Sequence, residues 1–69
     1  MERRRVNSSR VRSVGYDEKT RTLEVEMSNG QVFQYSGVYP EVHRQFMAAP
    51  NPTAFFDDKI VEEYSARRV

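Results

Sequence analysis

The stretch Leu23-Glu24-Val25-Glu26-Met27-Ser28-Asn29-Gly30-Gln31-Val32-Phe33-Gln34-Tyr35-Ser36-Gly37-Val38 decides the fold. Apolar and polar residues alternate on both sides of Asn29-Gly30, the strongest short-range signal for a β-hairpin. Two registers compete. A two-residue Asn29-Gly30 turn sets Met27 opposite Val32 and leaves Phe33 and Tyr35 on the face of Glu24 and Glu26. A three-residue loop, Ser28-Asn29-Gly30 with Gly30 left-handed, sets Val25 opposite Phe33 and Leu23 opposite Tyr35. A slip of one residue moves every side chain of a strand to the other face. The three-residue loop is favoured, because it gathers Leu23, Val25, Met27, Phe33 and Tyr35 on one side.

Working outward, Val6 to Tyr16 reads as a first strand with Val11 and Val14 inward. Their spacing breaks strict alternation, and Gly15 offers a bulge that would re-phase the strand. Residues 1–5 have no apolar periodicity and read as a disordered basic tail. After the hairpin, Pro40 suits the first helical position and Glu41 the first turn. Val42, Phe46 and Ala49 mark the buried side of a helix over 40–49, which Pro50 and Pro52 end. Asn51 or Thr53 can cap a second helix over 53–66, where Phe56, Ile60 and Tyr64 share a face. Asp57 and Asp58 at its start and Arg67 and Arg68 at its end suit the helix dipole. The expected fold class is α+β: a three-stranded antiparallel meander followed by two helices packed on one face, β-β-β-α-α, in a single domain over 6–66. The first strand and the third, Val32 to Val38, would be the sheet edges.

The chain has 69 residues, no cysteine and one histidine. A domain this size buries only about 60% of the surface its unfolded chain exposes. Disulfides and thiolate metal sites are excluded, and His43 alone makes no zinc site. No cofactor and no metal are expected. Four Phe and four Tyr supply the large core side chains. No apolar run approaches the ~20 residues of a transmembrane helix, so no membrane partner is expected. Net charge is only +1, but it is unevenly spread. Arg3, Arg4, Arg5, Arg10 and Arg12 crowd the start, and Asp57, Asp58, Glu62 and Glu63 lie near the end.

Over nearly its whole length the chain resembles the KTSC domain, a small domain named from the C-terminus of some lysyl-tRNA synthetases and found also as a free-standing bacterial protein. The resemblance is carried by Val6-Asn7-Ser8-Ser9, Val14-Gly15-Tyr16-Asp17, Leu23 to Met27, Asn29-Gly30, Phe33 to Val38, Ala49, Phe55-Phe56, and Ile60 to Tyr64. No single motif is specific; the ordered set is. The family's central aromatic-x-aromatic motif is usually Tyr-x-Tyr and is Phe33-Gln34-Tyr35 here. The resemblance implies a bacterial or phage origin and a cytoplasmic location. It implies no established activity, RNA binding having only been suggested for the family. Two departures stand out. Pro50-Asn51-Pro52-Thr53 replaces the usual serine and glycine between the helices. Ile60-Val61-Glu62-Glu63-Tyr64 replaces an Ile-Arg pattern followed by basic residues, which removes positive charge from the last helix.

The candidate nucleic-acid residues are Arg10, Arg12, Arg3, Arg4, Arg5, Phe33 and Tyr35. Aromatics on an open sheet face can stack bases. A domain this small, however, needs its aromatics for burial, which favours Phe33 and Tyr35 as core. Arg10 and Arg12 would project together from the first strand and are better phosphate ligands than the tail arginines. No catalytic residue is expected. Ser8, Ser9 and Ser13 have no visible catalytic partner and read as turn and strand-end hydrogen-bonding groups. His43 reads as a surface or boundary residue of the first helix. The acidic run Asp57 to Glu63 lacks the ligand spacing of a calcium loop and reads as a solvated helix face. The expectation is a small non-enzymatic binding module, for RNA or, alternatively, for a protein partner or a second copy of itself.

Overall fold

A computed structural model of the chain describes residues 2–69. The hairpin takes the favoured register: β3 (Thr22–Met27) pairs antiparallel with β4 (Val32–Tyr35), with Val25 opposite Phe33 and Leu23 opposite Tyr35. The Met27 N–H donates to the Gln31 carbonyl at 2.7 Å, which closes the loop around Ser28-Asn29-Gly30. Gly30 has a φ of 93°, the left-handed region that glycine enters at little cost. The Asn29 side-chain oxygen accepts from the Gln31 N–H at 3.0 Å and stiffens the turn.

On the other side of β3 lies β2 (Val11–Asp17), with Val14 opposite Val25 and Tyr16 opposite Leu23. Val11 and Val14 are both inward and buried. The re-phasing that allows this falls at Arg12, between Val11 and Ser13, and not at Gly15. Gly15 has a different use. It lies in register between Arg3 and Glu24, and its missing side chain lets their ion pair cross the strand at 3.5 Å.

The sheet has five strands in the order β1-β2-β3-β4-β5, where the sequence predicted three. The expected tail supplies β1 (Arg3–Arg5), antiparallel to β2, and Met1 lies outside the described residues. The expected end of the last helix supplies β5 (Ala66–Arg68), antiparallel to β4. Both additions have one cause: β2 and β4 would otherwise present rows of unpaired N–H and C=O groups. Arg67 and Arg68 are therefore strand residues, not partners of a helix dipole.

The helices cover one face of the sheet. Helix α1 (Pro40–Ala48) starts on its proline, carries Glu41 in its first turn and buries Phe46. Helix α2 (Pro52–Phe55) is capped by Asn51, whose side-chain oxygen accepts from the Ala54 N–H at 3.2 Å. A π-helical segment, Phe56–Val61, continues it and ends well short of residue 66. Phe56 and Ile60 keep their expected buried face. Tyr35 meets Phe56 edge-on at 6.0 Å, and Phe46 stacks on Phe55 at 5.5 Å. The first contact joins the sheet to the helical layer, and the second joins α1 to α2. The core is Val11, Val14, Leu23, Val25, Tyr35, Val38, Phe46, Phe56 and Ile60.

Val25, fully buried in the central strand, tolerates no charge. Val25→Asp should abolish the cooperative thermal transition followed by circular dichroism. Phe46→Ala should cost about 3–5 kcal/mol in urea denaturation, and Phe33→Ala, at a half-buried position, clearly less.

Candidate functional site

The hairpin register sorts the side chains of the sheet. Leu23, Val25, Phe33 and Tyr35 face the helices, and Thr22, Glu24, Glu26, Val32 and Gln34 face away. Tyr35 is buried, at 4% exposure, and Phe33 is half-buried against the core. Neither ring lies on the open face. That face carries carboxylates at its centre instead. Glu24 accepts a hydrogen bond from the Gln34 amide at 3.0 Å and pairs with Arg3. Glu26 accepts from the Ser13 hydroxyl at 2.8 Å and pairs with Arg12 at 3.6 Å.

The candidate arginines separate into two groups. Arg3, Arg10 and Arg12 are held by carboxylates. Arg10 does not project alongside Arg12: it precedes β2 and reaches Asp57 of the helical layer at 2.6 Å. Arg12 turns to the open sheet face, where it also donates to the Ser28 carbonyl at 3.0 Å. The irregularity at Arg12 is what parts them. Arg4 and Arg5 form no ion pair within 4 Å among the described residues. Ser8 and Ser13 have structural partners. Ser8 and Thr53 share a 2.5 Å hydrogen bond, and Ser8 also accepts from the Arg10 and Val11 N–H groups.

A cleft lies elsewhere, between the β1–β2 edge and α1. It has a volume of about 700 Å³ and is lined on the sheet side by Arg4, Val14 and Tyr16 and on the helix side by Pro40, His43, Arg44 and Met47. Arg4 is opposite Val14 in the β1–β2 register, which turns it to the helix side of the sheet. The helix residues stand at i, i+3, i+4 and i+7 and so form one stripe. Tyr16 and His43 stack across the cleft at 4.8 Å with their planes 9° apart. The Tyr16 hydroxyl donates to the Val38 carbonyl at 2.5 Å, just ahead of α1. Glu2 and Glu18 line the cleft as well. Arg44, like Arg4, forms no ion pair among the described residues. The cleft thus brings two unneutralised guanidiniums to one stacked aromatic pair, a setting for an anion.

Sequence reasoning missed this site. His43 reads in the sequence as a surface or boundary residue of the first helix, Arg44 draws no reading, and Arg4 is a candidate only as part of the expected tail. The Pro40-His43-Arg44-Met47 spacing was the available signal. Among the described residues no group of acidic, histidine and cysteine side chains is arranged to hold a metal ion, and no helix is long and apolar enough to cross a membrane.

Comparison with known proteins adds to this geometry. The KTSC domain family matches residues 7–64. An uncharacterized protein of Stutzerimonas stutzeri strain A1501 is 43% identical over 49 residues, covering 71% of this chain and 69% of that protein. The crystal structure of a KTSC domain protein from Yersinia pestis superposes with a TM-score of 0.92 at 38% identity, covering 99% of this chain and 96% of the other.

His43 gives the cleft a pH signature. Burial, then the nearby Arg4 and Arg44, hold its imidazole below the ordinary value of 6.5. Between that lowered value and about 6.5, the unfolded chain binds a proton that the folded chain refuses. Stability should therefore fall as pH drops through this window, and His43 should contribute no slope above it. Urea denaturation over a pH series should show the decline, and His43→Phe should remove it. An imidazole titrating at or above 6.5 by NMR would contradict the described environment.

Proposed function

The chain belongs to the KTSC domain family, and from that premise we propose that it is a non-enzymatic, cytoplasmic module that binds single-stranded RNA at the cleft between β1 and α1. The observation that carries the reading is the convergence of Arg4 and Arg44, neither neutralised by a carboxylate, on a cleft floored by Tyr16 and His43. Phosphates provide the charge that this pair lacks. Arg5, next along β1, extends the basic edge. The resemblance to a synthetase appendage points to RNA rather than to another polyanion.

The location differs from a sheet-face platform for a physical reason. Glu24 and Glu26 at the centre of the open face repel phosphates, and Tyr35 is already packed against Phe56. Arg10 and Arg12 would have to leave Asp57 and Glu26 to reach a ligand. The alternative, self-association through sheet edges, has weaker support. The edges are β1 and β5, each of three residues and each bearing arginines, and short charged edges resist strand pairing. The engaged hydroxyls of Ser8 and Ser13, neither bonded to His43, support a binding rather than a catalytic role.

Binding of a short oligouridylate should weaken linearly in log–log form with salt. Replacing Arg4 and Arg44 together by Ala should flatten that slope by about 1.4, two contacts at ~0.7 each for a single strand. Replacing Arg10 and Arg12 should change it less. Fluorescence anisotropy over a salt series reads both, and an unchanged slope in the Arg4→Ala/Arg44→Ala variant would refute the cleft as the site.

A further inference from the structure

Seven of the eight aromatic residues are buried or half-buried. Tyr39 is the exception, at 58% exposure. It precedes Pro40 at the N-cap position of α1, yet its side chain makes no capping hydrogen bond. Its ring therefore serves neither the core nor the helix end. It is nevertheless placed with care. The Arg21 guanidinium lies 4.9 Å from the centre of the ring, a cation–π contact.

Arg21 is the one non-glycine residue with a positive φ among the described residues, at 55°. That conformation is uncommon for a residue with a long side chain and costs energy that its surroundings must supply. Here the Val38 N–H donates to the Arg21 carbonyl at 3.0 Å. The Val38 carbonyl in turn accepts from the Tyr16 hydroxyl, and the Tyr16 ring stacks on His43 inside the cleft. A continuous path of contacts thus runs from the cleft floor through Val38 to the Tyr39–Arg21 pair, and Pro40, the next residue, lines the cleft itself.

We propose that Tyr39, backed by Arg21, is a base-stacking residue for single-stranded RNA whose phosphates lie at Arg4 and Arg44. The inference rests on the RNA reading of the cleft and adds to it the element that tells a nucleic acid from a bare polyanion. An exposed aromatic ring carrying a guanidinium offers a base a planar, sequence-tolerant partner, and the arginines of the cleft hold the backbone. Two Glu residues that line the cleft, Glu2 and Glu18, lower its attraction for charge alone and raise the weight of stacking.

The test compares oligouridylate with inorganic polyphosphate, which has the charge and lacks the bases. Tyr39→Ala should fold normally, because the side chain is outside the core, and should bind oligouridylate roughly 5- to 100-fold more weakly. Its binding of polyphosphate should be unchanged. Tyr39→Trp should keep RNA affinity, and its fluorescence, in a chain without tryptophan, should be quenched by oligouridylate and not by polyphosphate. RNA binding that depends on Arg4 and Arg44 but is unaffected by Tyr39→Ala would overturn this inference and leave the cleft reading standing. Equal loss of both ligands would also overturn it. Failure of the unaltered protein to bind oligouridylate would overturn the cleft reading and, with it, the stacking role.

Discussion

The left-handed backbone at Gly30 fixes the pairing of β3 with β4, and the two faces of the sheet follow from that pairing. In the competing two-residue turn, Glu24 and Glu26 would share a face with Phe33 and Tyr35. Two carboxylates would then enter a core that has few polar groups to receive them, at several kcal/mol each. With the three-residue loop, apolar groups from β2, β3 and β4 meet α1, α2 and the π-helical segment on one side. On the other side Glu24 and Glu26 lie among Ser13, Gln34, Arg3 and Arg12. A chain of 69 residues has material for one apolar layer only. Its open sheet face is polar for that reason, and the concave surface lined by Arg4 and Arg44 lies beside the sheet.

The hairpin, its register and the capped start of α2 were legible in the sequence because each is written locally. Alternation, an Asn-Gly step and a cap residue lie within a few positions of the structure they specify. The edge strands are different. Arg3-Arg4-Arg5 and Ala66-Arg67-Arg68 have no alternation to read, and they are strands because β2 and β4 offer open backbone groups beside them. Their cause is the neighbour, not the segment. The π-helical segment is likewise a tertiary result. Phe56 and Ile60 keep their buried face, while the widened turn departs from regular α-helical spacing. The cleft was the least legible part. It joins Arg4 to Arg44 across forty positions of sequence through a strand that the sequence did not announce.

Net charge alone would have argued against any polyanion, since the chain carries only +1. Its placement matters more than its sum. Arg3, Arg10 and Arg12 are matched by Glu24, Asp57 and Glu26, and the most exposed of these pairs, Arg10–Asp57, contributes little to stability, about 0–1 kcal/mol. Their effect is to neutralise the sheet face and the Arg10 corner locally. At the cleft, Arg4 and Arg44 carry the positive charge that no ion pair engages, with Glu2 and Glu18 lining the same cleft. Paired arginines thus lie on the open face and at the Arg10 corner, while arginines without an ion pair among the described residues stand on both edge strands, Arg4 and Arg5 on β1 and Arg67 and Arg68 on β5.

Tyr16 is where the core and the cleft become one structure. It stands opposite Leu23 on the inner face of the sheet, packs against the core cluster, and stacks on His43 with the other end of its environment open to the cleft. Its hydroxyl holds the Val38 carbonyl, and the Val38 side chain is itself fully buried. Burial raises the Tyr16 phenol above its ordinary value, with Arg21 opposing in part, so the hydroxyl stays protonated and remains a donor throughout the physiological range. One side chain therefore fixes the spacing of β2 from the start of α1, and so the width of the cleft. The same bond sets the backbone that carries Tyr39. The geometry of this cleft is then a consequence of core packing, and it needs no rigid loop of its own.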